Sequence, residues 1–516
     1  MRLRKHILLA LLALVAAWAA WTFRDRFAFT TGQPDETLRT ARAPGVPQVY
    51  YGPAFSIAVL PFDCVRGRQP EPPPPGGEVA AEPDTSPALA FGLAQAVIDR
   101  LLPIRELQVT ADTSSFFFAG SSEPLEVLAE RLKVRHLLDG CVTLKNGLLG
   151  VETRLFDVRA GEMDWTHEFT SPVEDVFEIM DRLTAEAAEA VRTGSAADVV
   201  SLPDPGPEAW LMLIEADHFY RQRDPENLVR AEQAYRQVVD DDPGVAAGWL
   251  GLARVYLEPS WPQSAEQPGF ERSRQAVIRV LELDPEQPEA HLILSRINRI
   301  YDWNFRRARE EASLAMVSLE GDAEILANAS RNEFIFGHFG RSISLLEKAV
   351  ARNPVALNNL LRLGLAHEFA GNPDQALIAY KTLLGLNPDY PAVHAYRARI
   401  KLAQDKAGSA LQEAEQEPDP FWKRYALILA LDALDRPEES DPLLQAMIDE
   451  DSQDAAFQLA EIHARRGDPE LAFEWLYRAL EQKDGGMSEI LGNPFFSGLH
   501  DDDRWLELIT ALGLSP

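Results

Sequence analysis

Histidine and carboxylate side chains are the commonest catalytic and metal-binding groups, and the chain holds ten histidines and 80 Asp and Glu residues. No two histidines stand at ligand spacing on one predicted helix, so we interpret them as packing or groove residues. The acidic triplets 240–242 and 501–503 lack the loop ligands of a calcium site. No phosphate-binding loop, metalloprotease or serine-hydrolase motif is present. The sequence therefore predicts no enzyme, and no catalytic, cofactor-binding or metal-binding residue.

The two cysteines, Cys64 and Cys141, fall on or beside predicted strands of one domain. A chain with only two cysteines cannot be a disulfide-dense scaffold, an iron–sulfur protein or a zinc-ribbon protein. Because cysteine is among the most often buried residues, two separate buried thiols are the default interpretation. A structural disulfide is the alternative if the domain lies in an oxidising compartment.

The formal net charge is −30, and most of the acidic excess follows residue 200. Such a chain repels the phosphate backbone of nucleic acids, so no nucleic-acid partner is expected. The same charge favours protein or peptide partners that carry basic segments.

A spacing pattern recurs along the C-terminal two thirds of the chain. A small residue is followed by a bulky residue four positions on and by a proline twelve positions on. The small residue lets two helices cross closely, the bulky residue fills the groove beside them, and the proline ends the second helix. The pattern occurs at Ala231/Tyr235/Pro243, Ser273/Val277/Pro285, Ser342/Leu346/Pro354 and Ala376/Tyr380/Pro388.

This pattern resembles the tetratricopeptide repeat, whose period of 34 residues separates Pro354 from Pro388. The resemblance implies an all-α solenoid of seven or eight units over residues 207–485, with residues 486–516 as a C-terminal helical cap. Its first helices are then expected to line a partner-binding surface. In the fifth unit, Asn and Arg side chains on that surface are suited to bind an extended backbone or a carboxylate. The alternative is that these side chains are merely solvated. The candidate partner-binding residues are Asn358, Asn359, Arg362 and Leu365.

Residues 55–195 have the element order of an α+β domain. The run 55–62 predicts a buried strand, and the proline-rich stretch 66–87 after it predicts a disordered insertion. A helix over 88–102, a strand over 107–113 and a helix over 124–132 follow. Strands are predicted over 136–144, 148–158 and 162–169, joined by the hairpin turns 145–147 and 159–161. A helix over 172–192 closes the domain.

Several blocks of this domain resemble, in sequence and order, the TolB N-terminal-like domain: SIAVLPF, ADTSSFFFAG, LKVRHLLDGCV, ETRLFDVRAGEMDWTHEF and VEDVFEIMDRLTAEAAEAV. In bacteria that domain often lies between a membrane helix and tetratricopeptide repeats, behind a winged-helix or cyclase domain. The chain departs from the family in its proline-rich insertion and in lacking an acidic residue before Gly92. Since few residues precede Ile7, no N-terminal effector domain is expected here.

The first residues carry an export or anchor signal. Arg2, Arg4 and Lys5 precede an uncharged run from Ile7 to Phe23, which is at the short end of the length that spans a bilayer. We expect one transmembrane helix within residues 1–26, a linker over 27–54, and the rest of the chain in the periplasm at the inner membrane. A cleaved signal peptide is the alternative, and it exports the same residues.

Together these patterns predict a non-enzymatic, membrane-anchored scaffold of the bacterial envelope that binds a protein or peptide through its solenoid. No cofactor is expected. The alternative is a sensor or regulatory component of transmembrane signalling that acts with a separate cytosolic effector.

Overall fold

The computed structural model describes residues 52–64, 86–104, 106–191, 205–261 and 268–514. The predicted membrane span and nearly all of the linker and the proline-rich insertion lie outside these ranges. Within them, no helix has both the length and the apolar composition needed to cross a bilayer. The chain forms two compact units, unit 1 up to Leu283 and unit 2 from Asp284. The boundary between the units therefore lies inside the range predicted to hold repeats.

Unit 1 contains a five-stranded sheet in the order β2-β1-β3-β4-β5. Strand β1 is parallel to β2 and β3, whereas β3, β4 and β5 form an antiparallel meander. Asn146 and Gly147 join β3 to β4 with φ angles of 53° and 77°, the left-handed conformation that a two-residue hairpin turn requires. The strands are β1 (Ser56–Val59), β2 (Gln108–Val109), β3 (His136–Lys145), β4 (Leu148–Asp157) and β5 (Glu162–Pro172).

Helices cover both faces of this sheet. Leu93, Val97 and Leu183 pack with the sheet on one face, and Leu128 and Leu132 pack with it on the other. Because both faces are buried, β1 is buried along its whole length and apolar from Ile57 to Val59, rather than alternating. The helices are α1 (Pro87–Leu101), α2 (Asp112–Ser115), α3 (Leu125–Leu132) and α4 (Val176–Val191).

Strand β2 is shorter than the sequence predicts. It covers only Gln108–Val109, and the chain then turns into the short helix α2. The carboxylate of Asp112 accepts the backbone N–H of Thr113 at 2.6 Å, a local bond that competes with a sheet ladder. The prediction of a strand up to residue 113 is therefore wrong beyond Val109.

Cys64 and Cys141 form a disulfide, with 4.2 Å between their Cα atoms. The interpretation of two separate buried thiols is wrong. After β1 the chain continues alongside β3, where Asp63 pairs with Cys141 in an isolated bridge, and this places Cys64 directly beside it. The sequence alone does not show that β1 and β3 are neighbours, so the pairing could not be predicted from it.

Two helix pairs follow in unit 1, and the first packs onto the α+β domain. Trp210 and Ile214 belong to the same apolar core as α1 and α4. A β-carbon on Gly92 would lie 2.4 Å from Cγ2 of Ile214, so this glycine allows the two helices to approach closely. The helices are α5 (Pro207–Gln222), α6 (Pro225–Asp241), α7 (Ala246–Leu257) and α8 (Gly269–Leu283).

Unit 2 stacks six further helix pairs. Gly371 has a φ of 76° between the helices of one pair, and Pro373 begins the second helix, as the repeat pattern predicts. In order, the pairs are α9 (Pro288–Ile297) and α10 (Phe305–Ser318), α11 (Ala323–Ile335) and α12 (Phe339–Arg352), α13 (Leu357–Phe369) and α14 (Pro373–Leu386), α15 (Val393–Ala403) and α16 (Ala407–Gln416), α17 (Pro420–Ala433) and α18 (Pro437–Asp451), and α19 (Ala456–Arg465) and α20 (Pro469–Gln482).

The residues after α20 divide into two parts. Residues 485–499, here called the inner segment, form two short 3-10 helices that pack against first helices of the pairs. Helix α21 (Asp503–Ala511) then packs on α20, where the Arg504 guanidinium lies 4.2 Å from the ring centre of Phe473. Only the second part resembles the cap that the sequence predicts.

Candidate functional site

The inner segment fills space between first helices that are far apart in the sequence. A β-carbon on Gly492 would lie 2.6 Å from Cδ2 of Phe369 on α13, and one on Gly486 would lie 2.5 Å from Phe457 on α19. Asn493 donates from Nδ2 to Oε1 of Glu461 on α19 at 2.5 Å. These close contacts leave no room for an extended peptide along the same path.

A buried ionic network lies beside this segment. Arg399 on α15 is 3% exposed and pairs with Glu368 on α13 at 3.0 Å and with Glu461 on α19 at 3.5 Å. Tyr425 on α17 donates to the other oxygen of Glu461 at 2.8 Å. Burial raises the pKa of Glu461 to about 7, although Arg399 opposes the shift. The network ties four first helices together.

A small cleft, partly open to solvent, lies at the other side of the inner segment. Three arginines reach it from consecutive pairs: Arg299 from the π-helical turn after α9, Arg331 from α11 and Arg362 from α13. The inner segment contributes Ser488. Serine hydroxyls complete the polar lining at Ser330 and Ser342.

The positive charge of this cleft is poorly compensated. Among the described residues, Arg299 and Arg331 make no ion pair, and the nearest carboxylate to Arg362 is Glu489 at 3.9 Å. The Nε atoms of Arg299 and Arg362 are buried without a hydrogen-bond partner in the described part of the chain. Burial and the neighbouring guanidinium groups lower the pKa of Arg299 to about 9 and lower that of Arg331 too.

The four predicted partner-binding residues lie on α13 but in different surroundings. Arg362 lines the cleft. Asn358 is half-buried and Asn359 is buried. Leu365 is 1% exposed and belongs to an apolar core cluster, so a ligand cannot reach it in this conformation.

Sequence reasoning missed Arg299 and Arg331. Positions 299, 331 and 362 differ by 32 and 31 residues, close to the repeat period, so a search for one residue type at that period could have found them. The charge of the cleft also differs from the expectation of a basic partner. A group bound between these arginines has to be anionic, whatever the net charge of the chain.

Unit 1 brings together the one group of possible metal ligands in the described ranges: His136, Asp157 and Asp164. The Asp157 carboxylate is already held by Arg135, whose Nη2 lies 2.5 Å from Oδ2. It also accepts the backbone N–H of Arg159 at 2.9 Å. Since its oxygens have these partners, the group is better explained as a structural ion pair at the strand ends.

A family model for the tetratricopeptide repeat matches residues 334–391, 361–421 and 425–486. The predicted repeats are thereby confirmed over α12–α20. Putative adenylate cyclase 3 of Rhizobium meliloti (strain 1021) is 24% identical over 246 residues, which are 46% of this chain. The chain spans only 39% of that relative's length.

Solved structures of other repeat proteins are similar over part of the chain. The Pseudomonas aeruginosa protein pilF has 17% sequence identity and a TM-score of 0.33, over 40% of this chain and 92% of its own. PilW, a type IV pilus biogenesis factor, has 15% identity and a TM-score of 0.35, over 40% of this chain and 91% of its own.

Proposed function

We propose that this protein is a non-enzymatic scaffold, anchored in the inner membrane, that binds a protein or peptide partner in the periplasm through the repeats of unit 2. The observation that carries this proposal is the run of tetratricopeptide repeats over 334–486. Stacked helix pairs present a long, regular surface, and such surfaces serve mainly in recognition. The partner is expected to place an acidic side chain or terminus near Arg362.

Export is proposed on two grounds. The basic and apolar pattern of residues 2–26 is that of an anchor or signal sequence. The disulfide between Cys64 and Cys141 supports the same location, because disulfides persist outside the reducing cytosol. We further propose that the α+β domain is of the TolB N-terminal-like kind and places the repeats at a distance from the membrane.

The proposal can be tested by cross-linking the full-length protein in membranes and identifying what co-purifies. Partners that depend on the cleft should be lost with Arg362→Gln and kept with Arg306→Gln, since Arg306 is an exposed arginine outside the cleft. If Arg362→Gln retains every partner of the wild type, binding does not use this part of unit 2.

A second candidate is a regulatory component of transmembrane signalling that acts with a separate cytosolic effector. It is favoured by the similarity to a protein named putative adenylate cyclase 3. The same cross-linking experiment separates the two: an envelope protein among the partners supports the scaffold, and a cytosolic regulator supports the signalling role.

A further inference from the structure

We propose that Arg299, Arg331 and Arg362 together bind one compact oxyanion, the phosphate or carboxylate group of a small ligand, in the cleft of unit 2. The site shares Arg362 with the partner-binding surface proposed above, but its binding of a small anion is measured without any protein partner.

The first argument is charge. Three guanidinium groups converge on the cleft, whereas only two carboxylates of the described residues act on them: Glu489, 3.9 Å from Arg362, and Glu324, which attracts Arg331 without forming an ion pair with it. The three arginines are half-buried, and a partly desolvated cation without a full counterion destabilises a fold, as do the buried Nε donors of Arg299 and Arg362 that have no partner in the described residues. An anion bound in the cleft supplies the missing charge and the missing acceptors at once.

The second argument is the type of donor. A guanidinium group is a planar fork that donates two parallel hydrogen bonds to a carboxylate or phosphate. The hydroxyls of Ser330 and Ser342 lie 2.9 Å apart in the same wall, and Ser488 faces the cleft from the inner segment. The Ser488 hydroxyl already donates to the Gly485 carbonyl at 2.8 Å, and Ser330 and Ser342 bond each other, so the arginines are the main donors. Guanidinium groups from three separate elements suit an oxyanion, which accepts several hydrogen bonds in different directions.

The third argument is size. The cleft is small and partly open to solvent, well below the size of a site for a drug-sized ligand. The inner segment forms one side of it through Ser488. A long extended peptide therefore has no path through the cleft, whereas a compact group does.

The test uses the purified full-length protein in detergent, with inorganic phosphate and acetate as separate probes in calorimetric titrations. Saturable binding of phosphate, of acetate or of both supports the site and identifies the anion class. Arg331→Gln is expected to weaken binding by about 10-fold or more, since hydrogen bonds to charged groups are the strong ones. Arg306→Gln is the matched control and should bind as the wild type does.

Two further measurements distinguish loss of the binding site from misfolding of the variant. Without a ligand, Arg331→Gln should melt at a higher temperature than the wild type, because it removes an uncompensated cation. Glu489→Gln should tighten anion binding, because it removes the carboxylate that competes for Arg362. The proposal is overturned if neither probe binds the wild type, or if Arg331→Gln binds as tightly as Arg306→Gln. Either result leaves the cross-linking of protein partners to be judged independently.

Discussion

Tyr380 packs its ring so closely against Gly364 that a β-carbon on this glycine would lie 2.1 Å from Cε1 of the tyrosine. Tyr235 and Gly251 repeat the relationship in unit 1, at 2.2 Å. In both pairs the bulky residue of the second helix occupies the space that the glycine of a first helix leaves open. The spacing of small and bulky residues predicts that both tyrosines are buried, and each is 0% exposed.

Gly364→Leu is expected to destabilise unit 2 by about 1–3 kcal/mol or more, because the tyrosine ring has to move. Thermal unfolding followed by tryptophan fluorescence measures the effect. Gly385→Ala on α14 is the control. No atom lies within 4 Å of the added carbon there, so it should be neutral or slightly stabilising. Equal melting temperatures for Gly364→Leu and the wild type would contradict the packing described.

Replacing both Cys64 and Cys141 by alanine is expected to lower the stability of unit 1 by about 2–4 kcal/mol. The disulfide links positions 77 residues apart, so its loss frees a long loop in the unfolded chain. Melting curves with and without a reductant measure the effect in the wild type. A wild type that is insensitive to reductant would show that the bond does not form in solution.

Glu461→Gln is expected to remove a pH dependence from the stability of unit 2. Burial raises the pKa of Glu461 from 4.5 to about 7, so the folded protein holds this proton more tightly than the unfolded chain does. The stabilisation is full below pH 4.5 and is lost as the pH rises through about 7. The melting temperature should fall less over this range in Glu461→Gln than in the wild type. Parallel pH profiles would argue against the shift.

Arg399→Met is expected to cost about 3–5 kcal/mol, because it leaves Glu368 and Glu461 buried without their cation. Arg436→Met is a suitable control. Its partner Glu439 is exposed, and such pairs are worth under about 1 kcal/mol. Denaturant unfolding of the two variants should therefore differ widely, and similar midpoints would contradict the importance of the network.

A reporter that needs the periplasm is expected to be active when it is fused after residue 30. The basic residues before Ile7 should keep the N-terminus in the cytosol. Activity of a cytosol-dependent reporter at the same junction would invert the proposed topology. Fusions at that position with Arg2, Arg4 and Lys5 replaced by glutamine provide the control, since they should lose the orientation preference.

The sequence predicts local features of this protein better than long-range ones. The spacing of Ala376 and Tyr380 marks two buried residues of α14, because both belong to one helix pair. Arg299 lies in a π-helical turn outside the signature positions, so the pattern does not mark it. Its approach to Arg331 and Arg362 depends on how consecutive pairs stack.

For the same reason, contacts between distant segments could not be predicted from the sequence. The disulfide depends on the neighbouring positions of β1 and β3, and the inner segment meets α11 more than 150 residues earlier in the chain. No periodicity within either segment encodes such a partner. The sequence places residues 486–516 at the end of the array, and only the fold shows that part of this range packs against first helices.

The inner segment also affects how unit 2 is made. A ribosome completes all six helix pairs of unit 2 before residues 485–499 emerge, so until then the side chains of Phe339, Phe369 and Phe457 lack the neighbours that later cover them. Synthesis runs at about 5–20 residues per second, and aromatic surface uncovered on that timescale is what chaperones recognise. Because of the order of translation, the core of unit 2 is complete only after residues 485–499 have been synthesised.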